Sequence, residues 1–482
     1  MTGLGKRTAI LTLCRFANYG LMMISPIILV RLLSVGEFGR YREFLLYVSL
    51  LVSFATLSIN ESLLYFVPRY PESIWRVVRQ TVLLVACSSI VVVAVVAVAD
   101  ILAGGTILGG FRTPLAVYTL LFSNIDFWES LLLARGQPLR MFAYTSGRLL
   151  ARLLVVVGLA AATRDVQSIV WGLIGLETVR LAISTSLWRL SARERLEPPV
   201  KQLWREQLQF CVPTAVAVLL GMGNQSLGNV VVAKAIGVAA LAQFTIGTYG
   251  QPIVEAARNS ISAVVLPEMV RLSMSDSTRG LLLWKQSTVV NCMVLFPCAV
   301  LVFHFAEQLV VTVFGVSYRP AVPLLQIYVF GLLRSCVDFV PALRAINKTR
   351  PLVYGSLAAL IANAVCLWFL VPAHGLAGAM WSWVVSEFVD ALLLGAAVLA
   401  LYGTPFRRLL PWRSLLSVAA AAVGASPAIM PGFWVTSLGF FGVVLASLLY
   451  LGAFVAISLT LRIPEAWSLW YRARRFAAAA MA

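Results

Sequence analysis

In a chain that is 60% hydrophobic and only 12% charged, the positions of the charges are informative. Arg15 and Asn18 are three residues apart and share a helix face, and Arg258 has Glu255 three residues before it. Arg148 and Arg152 are four apart, Asp126 and Glu129 three apart. Glu177 with Arg180, and Arg334 with Asp338, repeat the helical spacing. Glu61 stands by itself, and Glu387 and Asp390 can be grouped with two amides, Asn363 and Asn224. A guanidinium is a planar fork of donors suited to phosphate or carboxylate. Carboxylates beside amide oxygens can hold a proton or cage a small cation. The chemistry on offer is therefore capture of an anion and binding of a cation. Nothing points to bond-making catalysis: there is no P-loop, no His/Cys cluster with ligand spacing and no Ser-His-Asp set. The seven cysteines have no metal-type pairing, with Cys292 and Cys298 six apart. They read as small apolar side chains. Neither enzymatic activity nor a cofactor is expected.

The elements that carry these residues are membrane spans. A soluble chain averages about 45–50% apolar and roughly 25% charged. Here apolar runs long enough to cross a bilayer recur from end to end, without the period-two alternation of a barrel. The expectation is an all-α polytopic membrane protein with about fourteen transmembrane helices. They fall near residues 8–32, 42–66, 78–101, 114–134, 141–162, 167–189, 207–232, 241–268, 285–313, 321–344, 351–371, 376–402, 413–431 and 437–461. The first run lacks a cleavage site and reads as a span rather than a signal peptide. The formal charge of +18 sits mostly in alternate loops. One side holds Arg69, Arg76 and Arg79, then Arg193, Arg195, Lys201 and Arg205, then Arg407, Arg408 and Arg413. The other holds Arg40, Arg42, Arg112, Arg164, Lys234 and Arg319. By the positive-inside rule both termini are cytoplasmic, and no nucleic-acid partner is needed to explain the charge.

A charge at mid-membrane costs about 2.5–3.5 kcal/mol on insertion scales, so it faces a partner or a wet cavity. Arg15 and Asn18 lie in span one, Arg258 in span eight, Arg148 and Arg152 in span five, and Glu61 in span two. Each has a competing structural reading. Arg15 can snorkel to the interface, and Arg258 can pair with Glu255. Arg148 and Arg152 can pair with Asp126 and Glu129, Glu177 with Arg180, and Arg334 with Asp338. Glu61 can face Arg15 and hold it in place. His304 reads as a helix-contact residue. Trp128, Tyr144, Tyr249 and Trp383 could stack on sugar rings or belong to the interfacial belt.

The chain also repeats itself. Ile28–Arg42 ends a span in a glycine-punctuated turn and starts another, and Val231–Gly247 does the same. Arg31 stands 203 residues before Lys234, and Tyr41 203 before Phe244. Trp171 and Glu177 stand 210 residues before Trp381 and Glu387. Ala134 stands 211 residues before Ala345, and Pro68 199 before Pro267. This organises the chain as a six-helix lobe over 1–190, a basic linker over 191–206, a second six-helix lobe over 207–402, and an added helix pair with a basic tail over 403–482. Both repeats begin on the same side, as in parallel-repeat transporters.

The signature Arg31-Leu32-Leu33, Glu37-Phe38-Gly39-Arg40-Tyr41, with two lobes and a basic linker, resembles the polysaccharide transporters. These are the O-antigen (Wzx-type) flippases of the multidrug/oligosaccharidyl-lipid/polysaccharide exporter superfamily. The motif covers the first two spans; the architecture covers the whole chain. The resemblance implies translocation of a lipid-linked oligosaccharide on polyprenyl pyrophosphate across a bacterial inner membrane by alternating access. It implies Arg15 and Arg258 as donors to the pyrophosphate, with Asn18, Glu61, Arg148 and Arg152 nearby. Glu387, Asp390, Asn363 and Asn224 are the candidates for ion coupling. Membrane lipids, a glycan polymerase and glycosyltransferases are the expected partners. Two rivals stay open: a cation-coupled multidrug exporter of the same fold, and a non-transporting scaffold for glycan assembly.

Overall fold

The computed structural model describes residues 18, 20–108, 110–192, 203–251, 254, 265–266, 268–273, 276–429, 440–464 and 466–467. Arg15, Arg258, Glu255 and Cys14 lie outside the described residues, as does 193–202 of the linker. Among the described residues every regular element is helical, and the protein is an all-α polytopic membrane protein. Seven helices are long and apolar enough to cross a bilayer. Other spans are interrupted, which a length criterion misses. About fourteen spans is consistent with the fold. The chain divides into two compact units, Met1–Ala242 and Gln243–Ala482.

The first unit runs α1 (Gly20–Leu32), α2 (Val35–Thr56), α3 (Leu63–Arg69), α4 (Ile74–Leu102), α5 (Arg112–Ile125), α6 (Phe127–Ala134), α7 (Pro138–Thr163), α8 (Val166–Ala192) and α9 (Leu203–Val231). A π-helical turn, Val232–Ile236, leads into α10 (Val238–Gly247). The signature motif is a turn and packing device. Ser34 caps α2, its hydroxyl accepting from the Glu37 N–H at 3.2 Å. The Glu37 carboxylate reaches instead to the Val166 N–H at 3.1 Å, so it serves the first turn of α8. Phe38, Tyr41 and Phe44 are buried. Gly39 has no room for a side chain, because a Cβ there would lie 2.0 Å from the Val238 carbonyl oxygen. The two copies of the repeated turn thus touch through backbone.

Spans two and four are both broken. Leu57 and Ser58 leave α2 with φ of +44° and +56°, a conformation that side chains other than glycine seldom take. Asn60 donates to the Ser123 carbonyl at 3.3 Å, next to the place where α5 gives way to α6 at Asp126. The helix at the head of the second sequence repeat, α9, packs within this unit. Its buried Gln207 donates to Ser62 and Thr81, both at 2.7 Å, and accepts from Gln80 at 3.1 Å. The repeat restarts at one point along the chain and compactness divides at another.

The second unit continues with α11 (Ser277–His304), α12 (Ala306–Phe314), α13 (Val322–Ser335), α14 (Val340–Ala345), α15 (Arg350–Tyr402), α16 (Phe406–Leu409), α17 (Trp412–Gly424) and α18 (Phe440–Thr460). Its α15 is spans eleven and twelve joined at Gly375, whose φ of +55° and ψ of −129° only glycine adopts easily. The two limbs fold back on each other: a Cβ on Gly378 would lie 2.0 Å from the Leu370 carbonyl oxygen. Span ten is broken between α13 and α14, as span four is between α5 and α6. The bounds of α13 lie 210 residues after those of α5, and α14 ends 211 residues after α6. The added pair, α17 and α18, buries Val418, Ala421, Ala446 and Tyr450 against Val289 and Cys292 of α11.

Candidate functional site

In the first unit the charges of spans four, five and six converge. The Pro138 start of α7 and the break at Asp126 bring α6 and α7 together, so that Arg148 takes Asp126 at 3.0 Å and Glu129 at 2.6 Å. On α8, Arg180 donates to Glu177 at 2.5 Å and through Nε to the Tyr144 hydroxyl at 3.1 Å. Both guanidiniums lie over one ring, each 5.6 Å from the centroid of Phe122. Among the described residues Arg152 makes no salt bridge to Asp126 or Glu129; Tyr41 of the signature motif is one of its neighbours. The group holds three arginines and three carboxylates and is neutral as a whole. Inter-helix pairing is what the geometry supports for Arg148. Asn18 lies beside this group, accepting from Ser146 at 2.9 Å.

In the second unit one arginine holds two acids. Arg334, only 7% exposed, meets Asp390 at 2.5 Å, Glu387 at 3.4 Å and the Glu387 carbonyl at 2.9 Å. This corrects the same-helix pairing of Arg334 with Asp338. The helix α13 ends at Ser335, so Asp338 is no longer on its face. Asp338 instead accepts from the Val340 N–H at 3.0 Å, at the start of α14. Asp390 also sits against Gly355 of the other limb, where a Cβ would come within 2.7 Å of its carboxylate. Asn363 is fully buried in the same unit, whereas Asn224 is buried on α9 of the first. Glu387 and Asp390 are thus brought together, but with a guanidinium between them.

Glu61 lies in the turn that breaks span two, exposed while Asn60 and Ser62 on either side are buried. Its proposed partner Arg15 lies outside the described residues. His304 ends α11 and its Nδ1 is 3.0 Å from the Val300 carbonyl, a helix-end contact. The aromatics considered as sugar platforms have partners. Trp128 donates to Ser184, Tyr144 accepts from Arg180, Tyr249 packs edge-on to Phe314, and Trp383 stacks on Tyr328. The six described cysteines are free thiols, and no metal-holding group of His, Cys, Asp or Glu occurs among the described residues.

Three residues escaped the sequence reading. Tyr41 was legible as part of the motif but not as a neighbour of Arg152. The pair of Asp100 with Arg112, 2.7 Å, depends on a loop that lets Asp100 also accept the Ile107 and Leu108 N–H groups, each at 3.0 Å. Glu43 is buried against Lys234 at 3.6 Å and Tyr47 at 3.1 Å. The signals were Tyr41 in the motif and, for Glu43, its partner Lys234 as the repeat counterpart of Arg31.

A family described as polysaccharide biosynthesis protein matches residues 28–323. No curated protein matches the chain. Among solved structures, the lipid II flippase MurJ in an inward closed conformation is similar at 12% identity, covering 96% of this chain and 99% of that one, with a TM-score of 0.67. An inward-facing multidrug resistance MATE family transporter of the MOP superfamily is similar at 13% identity, covering 82% and 99%, TM-score 0.53. The Vibrio cholerae MATE transporter VcmN, as a point mutant, is similar at 13% identity, covering 84% and 99%, TM-score 0.52. At these identities the likeness is one of fold.

Proposed function

Because the chain belongs to the polysaccharide biosynthesis protein family, we propose that it is a flippase that moves a lipid-linked oligosaccharide, carried on polyprenyl pyrophosphate, across a bacterial inner membrane. The family match over residues 28–323 carries this reading. The fold shared with a lipid II flippase supports it. Family and structural neighbours are transporters and flippases rather than enzymes. Fold alone does not choose a cargo.

In this reading Arg15 and Arg258 supply the fork donors for the pyrophosphate, with Asn18 beside Arg15. Both termini face the cytoplasm. Lobes that alternate in access carry the head across while the polyprenyl chain stays in lipid. Arg148 and Arg152 shape the wall through their own partners. Coupling falls to Glu387 and Asp390, two carboxylates that meet at one arginine, where a proton or small cation can bind; Asn363 and Asn224 are the further candidates. Glycan polymerase and glycosyltransferases act on the cargo before and after.

The test is to delete the gene and locate the lipid-linked glycan, which should accumulate on the cytoplasmic leaflet. Arg15→Ala with Arg258→Ala should leave the protein inserted and export abolished; normal surface glycan in that double variant rejects the pair. The rival is a cation-coupled multidrug exporter of the same fold, and drug resistance gained on overexpression without any glycan defect would install it.

A further inference from the structure

Among the described residues, most carboxylates within the spans are matched to cations. Glu43 has Lys234, Asp100 has Arg112, Asp126 and Glu129 have Arg148, Glu177 has Arg180, and Glu387 and Asp390 have Arg334. Among the described residues no cation pairs with Glu61, whereas Asp338 takes the Val340 N–H. Glu61 is also exposed, and it lies in a turn entered through two strained residues, Leu57 and Ser58. Broken spans are where transporters build their binding sites, and strain of this kind gathers at functional positions.

The exposure is not confined to Glu61. Glu61, Leu64, Tyr65, Pro68 and Arg69 form one exposed stripe at helical spacing. The opposite face, with Leu63, Phe66 and Val67, is buried against Val77, Phe127 and Leu131. The stripe has a carboxylate at one end and a guanidinium eight residues on. A face of that composition does not lie against acyl chains, so it borders a wetted space. Between the charges stands an aromatic ledge: Tyr65 is 44% and Phe210 42% exposed, stacked with centroids 5.0 Å apart. Arg69 donates to the Tyr65 hydroxyl at 2.6 Å and holds its guanidinium 5.6 Å from the Tyr65 ring centroid.

We infer that this stripe is a carbohydrate subsite, contacting the sugars of the cargo rather than its pyrophosphate. The inference rests on the flippase reading above. The parts suit a sugar. A carboxylate accepts from neighbouring hydroxyls and a guanidinium donates to ring and hydroxyl oxygens. Aromatic surface covers the apolar C–H face of a pyranose. A pyrophosphate would be repelled by Glu61, and a cationic drug would be repelled by Arg69. Among ligands that fit both ends at once, a neutral polyhydroxylated one meets the least opposition.

The full-length protein in nanodiscs tests this with two probes: polyprenyl pyrophosphate carrying its oligosaccharide, and the same lipid without sugar. Wild type should bind the glycosylated lipid about tenfold more tightly, as one or two good contacts provide. Glu61→Gln and Tyr65→Ala should each erase most of that difference and leave the bare lipid bound as before. A wild type that binds both lipids equally, or variants that keep the difference, overturns the subsite alone. A wild type that binds neither lipid overturns the flippase reading and the subsite with it. Loss of tetraphenylphosphonium binding in Glu61→Gln, with the sugar-dependent difference intact, would make the stripe a cation site instead. A measurement independent of affinity is labelling of Glu61→Cys by a water-soluble maleimide. Labelling should occur, and only the glycosylated lipid should protect; a thiol that stays unlabelled sinks the wetted stripe.

Discussion

The polar clusters of the two units solve one problem in opposite ways. Glu177 and Glu387 stand at the same position of the repeat, 210 residues apart. So do Arg180 and Asp390, and so do Asn124 and Arg334. In the first unit the cation shares a helix with its acid, and span four contributes a neutral amide. Asn124 donates there to Ser89 at 3.3 Å and to the Leu120 carbonyl at 2.8 Å. In the second unit both positions on the twelfth span are acids, and the cation has moved to span ten. The duplicated frame therefore specifies where polar groups stand, not what sign they carry. What the two clusters share is that their carboxylates meet a guanidinium. In the first unit Glu177 has Arg148 and Arg152 as neighbours besides its partner Arg180. In the second, Arg334 meets two acids, Glu387 and Asp390.

Removing the cation is the sharpest way to break this comparison. Arg334→Met strands two mostly buried carboxylates and should cost about 3–5 kcal/mol, read as a lowered unfolding midpoint in nanodiscs. Adding Glu387→Gln and Asp390→Asn should recover most of it. Arg180→Met should cost less, because Glu177 keeps other guanidiniums close. Equal losses in the two variants would mean that neutrality is not what the clusters maintain.

A smaller effect comes from copying one unit into the other. Arg180→Asp alone places a second acid beside Glu177 and should destabilise. With Asn124→Arg added, the second unit's arrangement is rebuilt in the first. The double variant should recover a coupling of about 0.5–3 kcal/mol in a double-mutant cycle. Zero coupling would show that positions 124 and 334 are equivalent in the chain but not in geometry.

These variants also mark what a reader of the sequence can and cannot see. The pairing of Glu177 with Arg180 and of Arg148 with the acids of span four is legible, because i+3 and i+4 spacing is a local property of any helix. The join of spans eleven and twelve, at Gly375, falls in the gap between the expected ranges 351–371 and 376–402. The partner of Arg334 is not legible. Its helix stops at Ser335 inside an unbroken apolar run, and hydropathy reports composition, not continuity. The break at Leu57 and Ser58 is hidden more deeply, since no glycine or proline announces it. It is held by contacts from elsewhere, Asn60 to Ser123 and Gln207 to Ser62. The exposed stripe carrying Glu61 depends on that break, so its role could not be read from spacing.

The smallest effect lies at the helix starts, where the units again differ. Asp165 precedes α8 and accepts the Ser168 N–H at 2.9 Å and its hydroxyl at 3.0 Å. Asp276 precedes α11 and accepts the Thr278 N–H at 2.8 Å and its hydroxyl. Both lie outside the spans. The Ser168 N–H holds the Asp165 carboxyl below the usual range, and the Thr278 hydroxyl does the same to Asp276. A carboxyl whose folded pKa is depressed adds stability above its unfolded pKa, about 3.9. That stability is lost as pH falls through the lower folded value. Asp165→Ala should cost about 0.5–1 kcal/mol at neutral pH, at the low end for a cap because solvent screens the charge. Asp165→Asn keeps the cap and removes the titration. Its unfolding midpoint should fall less steeply than wild type as the pH is taken below about 4. The Asp276→Asn variant should flatten the same window. Were only Asp165→Asn to flatten it, acid sensitivity would belong to the start of α8, where Glu37 already takes the Val166 N–H.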